Sequence, residues 1–319
     1  MGGLVTLRRE CRQFTIEWQS DAMDLEAAAT TWRREGFVVL PGYLSGPELE
    51  SAQTDLSSVY PTAEEYHSDP LSERNRAYTG DEYGGIIPFP FPTVALCNLA
   101  VHDKIIALVE AAFGTAEIRI YGSELWAKYS GAATYGQEHH RDYLNHTPLA
   151  PSSDIRWRGL ELFIWLSDVT EEFGPTQLVP LSETEGLPAL PHVYGRNEWA
   201  KLYEQEASAA GPAGTVVVYS TDTVHRATEL AASRSARFSI HASYRHAENS
   251  WTSRHSWGDQ SFHPDWQPFV EHATTRQLLL FGFPPPGHPY WTEETLEGVA
   301  TRYPGLDITP WQGQVRSDR

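Results

Sequence analysis

His140-Arg141-Asp142, His225 and Arg237-Phe238-Ser239 follow one another in this order along the chain. Together they offer two imidazoles and a carboxylate to a metal ion, and a guanidinium to an anion. Two His and one carboxylate, leaving coordination positions open, suit non-haem iron(II) oxygen chemistry. The same three donors also suit a hydrolytic zinc site, but that chemistry leaves the Arg-x-Ser pair without a role. A relative that only holds a small ligand is a further reading, and the intact donor set argues against it.

The pattern His-x-Asp is weak evidence by itself, and it occurs three times: His67-Ser68-Asp69, His140-Arg141-Asp142 and His263-Pro264-Asp265. Context selects among them. The first runs straight into Pro70 in a polar stretch, and the third contains a proline, which removes a ladder donor. His140 and Asp142 lie upstream of a series of strand-like segments. Residues two apart on a strand face the same side, so a strand here aims both at one metal and turns His139 away. Gly214-Thr-Val-Val-Val-Tyr219 is β-branched, and after a short turn Thr223-Val224-His225 opens another strand. On the next predicted strand, Ala236 to Tyr244, residues Arg237, Ser239 and His241 share a face. An Arg fork with a hydroxyl two residues on is shaped to hold a carboxylate. Arg234 is the competing position; the alternation after Arg237 and the nearby Ser239 favour Arg237.

The elements that must position these residues are legible as patterns. Helices are predicted over Asp24 to Arg34, Gly46 to Tyr60 with Ser45 as its cap, and Asp103 to Phe113, ended by Gly114. Strands follow at Glu117 to Tyr129, Leu160 to Trp165, Gln177 to Pro180, Thr215 to Tyr219 and Arg237 to Tyr244, with a helical insertion at Asn197 to Ala210. Many strands broken by Gly and Pro turns predict a mainly β protein with flanking helices, a sandwich or jelly roll. A single domain is expected over 1–319: a helical buttress about 21–113, a core about 115–246 and a C-terminal extension about 247–319. Two stretches read as irregular pocket frames, Arg74 to Pro92 and Asn249 to Phe269. Tyr83, Phe89, Trp126, Trp165 and Trp251 are expected to line a substrate pocket, although aromatics serve cores equally well.

Further stretches extend the pattern: Glu35-Gly36-Phe37-Val38-Val39-Leu40-Pro41-Gly42-Tyr43-Leu44, Gly174-Pro175-Thr176-Gln177-Leu178-Val179-Pro180, Phe281-Gly282-Phe283-Pro284 and Tyr303-Pro304-Gly305. With the His/Asp/His and Arg-x-Ser sites, the chain resembles the phytanoyl-CoA dioxygenase (PhyH) family of iron(II)/2-oxoglutarate-dependent oxygenases, roughly from Trp32 to Trp311. One departure is Leu181-Ser182-Glu183, where the family usually continues Pro-Gly-Ser-His. The resemblance implies a double-stranded β-helix core, jelly-roll or cupin-like. It implies His140, Asp142 and His225 as iron ligands and Arg237 on the distal carboxylate of 2-oxoglutarate; Ser239, Thr176 and Lys128 are expected beside it. Dioxygen is then the oxidant, and hydroxylation of a small molecule the default outcome, with succinate and carbon dioxide as co-products. The candidate substrates are an amino acid, a secondary metabolite and a lipid-derived acid. Related iron halogenases carry Ala or Gly at the carboxylate position, so Asp142 favours oxygen chemistry.

Bulk composition narrows the partners. The formal charge of −18 repels nucleic-acid backbones at long range, so none is expected to bind. No apolar run approaches the length of a membrane span, about 18 residues or more, and no signal-peptide core is seen near Met1. The two cysteines, Cys11 and Cys97, give no disulfide framework. A cytoplasmic protein acting on a small-molecule substrate is the expectation.

Overall fold

Two long strands set the frame. β3 (Ile118–Tyr129) and β11 (Ala236–His246) run antiparallel over their full lengths, with Lys128 opposite Arg237 and Trp126 opposite Ser239. The structure is a computed structural model that describes residues 25–89, 91–190, 192–249, 267, 270–271, 275, 278 and 283–313. β1 (Phe37–Leu40), β2 (Ile87–Pro88), β5 (Leu160–Trp165) and β9 (Val216–Ser220) complete a six-stranded antiparallel sheet in the order β1-β9-β5-β11-β3-β2. A minor sheet has the order β7-β4-β10-β6-β8, from β4 (His139–His140), β6 (Gln177–Leu178), β7 (Val193–Tyr194), β8 (Ala207–Ser208) and β10 (His225–Arg226). These two antiparallel sheets form a double-stranded β-helix core with flanking helices.

Strand alternation divides the apolar residues between two cores. Leu160, Leu162 and Ile164 of β5 face one way, with Val216 and Val218 of β9 and Ile240 and Ala242 of β11. Over them pack α1 (Leu25–Glu35), α2 (Pro47–Val59), α3 (Val94–Ala100) and α4 (Asp103–Phe113), contributing Ala28, Trp32, Leu49, Leu56, Leu99 and Leu108. Phe163 and Trp165 face the other way and join Phe37, Val39, Val217 and Tyr219 against Leu178 and Ala207 of the minor sheet. Both faces of β5 are therefore covered, which is why it reads as an almost continuous apolar run. A third cluster, including Leu149, Ala150 and Trp157, packs on the C-terminal helices Glu293–Arg302 and Thr309–Gln312.

Several local expectations are corrected. The cap of α2 is Gly46 at φ 85, with no side-chain cap bond, so Ser45 is not its cap. The expected helical insertion at Asn197 to Ala210 is helical only over Ala200–Glu204, because Ala207 and Ser208 pair with Leu178 and Gln177 instead. Arg74 to Pro92 is not wholly irregular. It holds a 3-10 turn at Arg76–Tyr78 and edge strand β2, and Tyr78 is buried against Tyr60 and Tyr129. Of the second frame, Asn249 to Phe269, only Asn249 and Gln267 fall within the described residues. No described helix is long and apolar enough to cross a membrane.

Candidate metal and anion site

β4 and β10 bring the two imidazoles together, because His225 pairs directly with His140. Their ring centroids lie 4.5 Å apart. Asp142 is not on the strand as its spacing predicts. It has helical backbone, φ −78 and ψ −15, at the head of the short helix Tyr143–His146. The backbone N–H of Tyr143 donates to the Thr221 carbonyl at 2.8 Å and fixes this turn. The turn still brings the carboxylate to the same place: Oδ1 is 3.5 Å from His140 Nε2, and Oδ2 is 3.3 Å from His225 Nε2. One donor atom from each of the three residues falls within 4.8 Å of the others.

The surroundings fix which ring nitrogens point inward. His140 Nδ1 lies 3.0 Å from the Glu138 carbonyl, and His225 Nδ1 lies 3.0 Å from the Thr223 carbonyl. A carbonyl only accepts, so each Nδ1 carries the proton and each Nε2 presents a lone pair. This backbone support of ligand imidazoles is common at metal centres. Burial works to raise Asp142, but the two imidazoles outweigh it and hold its carboxyl well below the usual range. Burial and the neighbouring His225 push His140 down to about 4, while Asp142 outweighs burial at His225 and raises it. An anionic carboxylate between two imidazoles is a donor set that fits a divalent metal. Tyr219, at the end of β9, donates its hydroxyl to Asp142 Oδ2 at 3.1 Å. Sequence reasoning passed over Tyr219, although its alternation with Val217 just upstream of His225 marks it as inward-facing.

On the inner face of the major sheet, Arg237 and Lys128 stand side by side, each 5% exposed. The Lys128 ammonium sits over the Tyr135 ring at 4.6 Å and the Trp126 ring at 5.4 Å. Arg237 lies over Trp165 at 5.3 Å and donates to the Gly174 carbonyl, while its Nε has no hydrogen-bond partner among the described residues. Neither cation forms an ion pair among the described residues. Burial, reinforced by the neighbouring guanidinium and only partly offset by the Glu82 and Glu229 carboxylates, pushes Lys128 down to about 7, and burial pushes Arg237 down to about 10. Ser239 and Thr176 are both buried. Gly174 holds the adjoining turn at φ 67, where a Cβ would meet the Thr228 carbonyl oxygen at 2.6 Å. Arg234 is exposed on a left-handed turn at φ 51 and only grazes the His67 carbonyl at 3.4 Å.

The aromatic residues divide. Trp126 stacks on His241 at 4.3 Å and 11°, and Tyr83 meets it edge-on at 5.9 Å. Phe89 packs on Phe91 and is 41% exposed. Trp165 is a core residue, 1% exposed, stacked on Phe163 with its N–H on the Ala209 carbonyl at 2.8 Å. It is a floor beneath Arg237, not an open pocket wall. Trp251 lies outside the described residues. The inner face also carries a buried pair that sequence reasoning did not single out. Glu161 accepts from Arg245 at 2.7 Å and from the Ser243 hydroxyl. A charged residue inside Leu-Glu-Leu-Phe-Ile-Trp was the available signal.

No curated protein sequence matches the chain significantly. Solved structures do match in fold. EctD from S. alaskensis, crystallised with 2-oxoglutarate and 5-hydroxyectoine, aligns at TM-score 0.53 and 19% identity, covering 73% of this chain and 80% of its own. SnoN, a non-haem α-ketoglutarate-dependent epimerase from nogalamycin biosynthesis, aligns at 0.52 and 22%, covering 69% and 82%. AviO1 from Streptomyces viridochromogenes Tue57 aligns at 0.50 and 18%, covering 71% and 96%. The phytanoyl-CoA dioxygenase (PhyH) profile matches residues 32–238, a span that holds all three donors and both buried cations, and the chain belongs to that family.

Proposed function

We propose that the chain is a non-haem iron(II)/2-oxoglutarate-dependent dioxygenase that hydroxylates a small molecule. The observation that carries this reading is the pairing of two features across the β-helix. A three-donor metal set stands at the minor sheet, and two buried cations with no carboxylate in ion-pair contact among the described residues stand on the facing sheet. A hydrolytic zinc site has no use for the second feature.

His140 and His225 would hold the metal through Nε2, and Asp142 through its carboxylate. When bound, iron(II) supplies dioxygen activation coupled to oxidative decarboxylation of 2-oxoglutarate to succinate and carbon dioxide. The residues themselves do the positioning. Arg237 offers its fork to the distal carboxylate, Lys128 adds a second charge, and the hydroxyls of Ser239 and Thr176 complete the polar ring. The co-substrate is thereby fixed against the metal-facing wall, which converts a bimolecular encounter into an oriented one. Phe163, Trp165, Leu178 and Val217 keep the floor of the site dry. Trp126, His241 and Tyr83 supply an aromatic wall for the primary substrate.

Turnover with iron(II), ascorbate and 2-oxoglutarate tests the reading. Succinate should form only with both iron and 2-oxoglutarate, and the substrate should gain one oxygen atom. Succinate without such a product would retain the oxygenase and reject hydroxylation. Hydrolysis supported by zinc alone would reject the reading entirely.

A further inference from the structure

The two ligand strands are short. β4 and β10 are two residues each and share one register pair, His225 with His140. So short a ladder fixes side-chain spacing poorly. On both strands, the residue beside the ligand faces the opposite side. These residues are His139, beside His140, and Arg226, beside His225. One carboxylate meets both. Glu206 accepts from Arg226 Nε at 2.8 Å and from Arg226 Nη2 at 2.7 Å, and its Oε2 lies 3.0 Å from His139 Nε2, in close contact though not aligned as a hydrogen bond.

We infer that Glu206 is a positioning residue, which ties β4 to β10 from behind and so sets the spacing of His140 and His225 toward the metal. The inference rests on the triad being a metal site. Tyr203 strengthens the tie. Its hydroxyl accepts from the His139 backbone N–H at 3.1 Å and donates to the Tyr194 carbonyl at 2.9 Å, and its ring packs on His139 at 4.3 Å. The Arg226 guanidinium also lies over this ring, at 5.4 Å. Burial opposes the charge on Glu206, but Arg226 and His139 outweigh it and hold its pKa at about 2. The carboxylate is therefore ionised throughout the working range, and the bidentate geometry fixes Arg226 in two directions rather than one.

Cobalt(II) titration of the metal-free protein, read by d–d absorbance, tests the inference, with melting temperature as a separate readout. The variants are E206Q, R226K and H225A. E206Q keeps the shape but loses the charge, and R226K keeps a charge but loses the fork. E206Q should bind cobalt(II) about tenfold to a hundredfold more weakly, the range for outer-shell changes, with an altered d–d spectrum. R226K should weaken binding in the same direction. Unchanged affinity and spectrum in both variants would overturn the inference, whatever happens to melting. Should E206Q fail to fold, R226K decides alone. A cobalt(II) site lost in H225A but untouched by both substitutions rejects only the role of Glu206. No cobalt(II) site in the unsubstituted protein rejects the triad assignment, and this inference with it.

Discussion

Lys128 and Arg237 are direct cross-strand partners on β3 and β11, two buried cations on one face of the sheet. Burying like charges side by side is unfavourable unless an anion joins them. On the proposed reading, that anion is the distal carboxylate of 2-oxoglutarate. Arg237→Ala should therefore weaken 2-oxoglutarate binding by roughly 1.5–3 kcal/mol, about tenfold to over a hundredfold. Arg234→Ala, on its exposed turn, should leave binding unchanged. Calorimetric titration of both variants checks this, and the reverse ranking would move the anion site away from β11.

Lys128 gives the anion site a pH dependence. Burial holds its amine at about 7, against an ordinary 10.5. Below pH 7 it is already an ammonium ion. Above pH 7 it must take up a proton to meet the carboxylate. Affinity for 2-oxoglutarate should therefore fall as pH rises above 7, by up to about tenfold per pH unit. Lys128→Met should bind more weakly at pH 6.5 and show a flatter profile. An identical profile in the variant would show that Lys128 does not meet the co-substrate.

Single substitutions His140→Ala, Asp142→Ala and His225→Ala should each abolish iron-dependent succinate formation and leave the far-ultraviolet circular dichroism unchanged. None of the three side chains belongs to the apolar clusters that hold the two sheets and helices together. Substantial turnover in all three variants would remove the triad from the mechanism.

Tyr219→Phe isolates one hydrogen bond. Without the 3.1 Å contact to Oδ2, the Asp142 carboxylate is free to rotate. Metal affinity should drop by about tenfold with little loss of thermal stability, since the ring stays packed. Equal metal affinity in the two proteins would make the hydroxyl a bystander.

Arg302 reaches back from the C-terminal helix to the segment that follows Asp142. It donates to the carbonyls of Leu144, Thr147 and Leu149 at 3.0, 2.6 and 2.7 Å. Arg302→Met strands three acceptors in a buried setting and should destabilise the protein by roughly 3 kcal/mol or more. Chemical denaturation measures this, and a change near zero would show the helix to be a passive cover.

The major strands were legible because they alternate or run apolar over many residues, and β3, β5, β9 and β11 fall where the pattern places them. The minor sheet was harder. Its strands are two residues long, too short for any period to declare itself. Asp142 shows the consequence. Its two-residue spacing from His140 suggested a shared strand, while the chain in fact turns after β4 and reaches the same point by a helical bend. Tyr219, Glu161 and Glu206 act through partners distant in sequence, and only the fold brings those partners near. Trp165 was ambiguous by type, because a tryptophan on an inner strand serves a wall or a floor equally well.

On the proposed reading, His140, Asp142 and His225 hold iron(II) beside the 2-oxoglutarate that Arg237 binds. Anaerobic absorbance titration of the iron(II)-loaded protein with 2-oxoglutarate tests it most directly, since chelation of the metal by the 2-oxo acid gives a visible charge-transfer band. The band should appear and saturate in the unsubstituted protein, vanish in His225→Ala, and require about tenfold or more additional co-substrate in Arg237→Ala. A protein that binds iron(II) but develops no band at saturating 2-oxoglutarate does not bind the co-substrate at this metal.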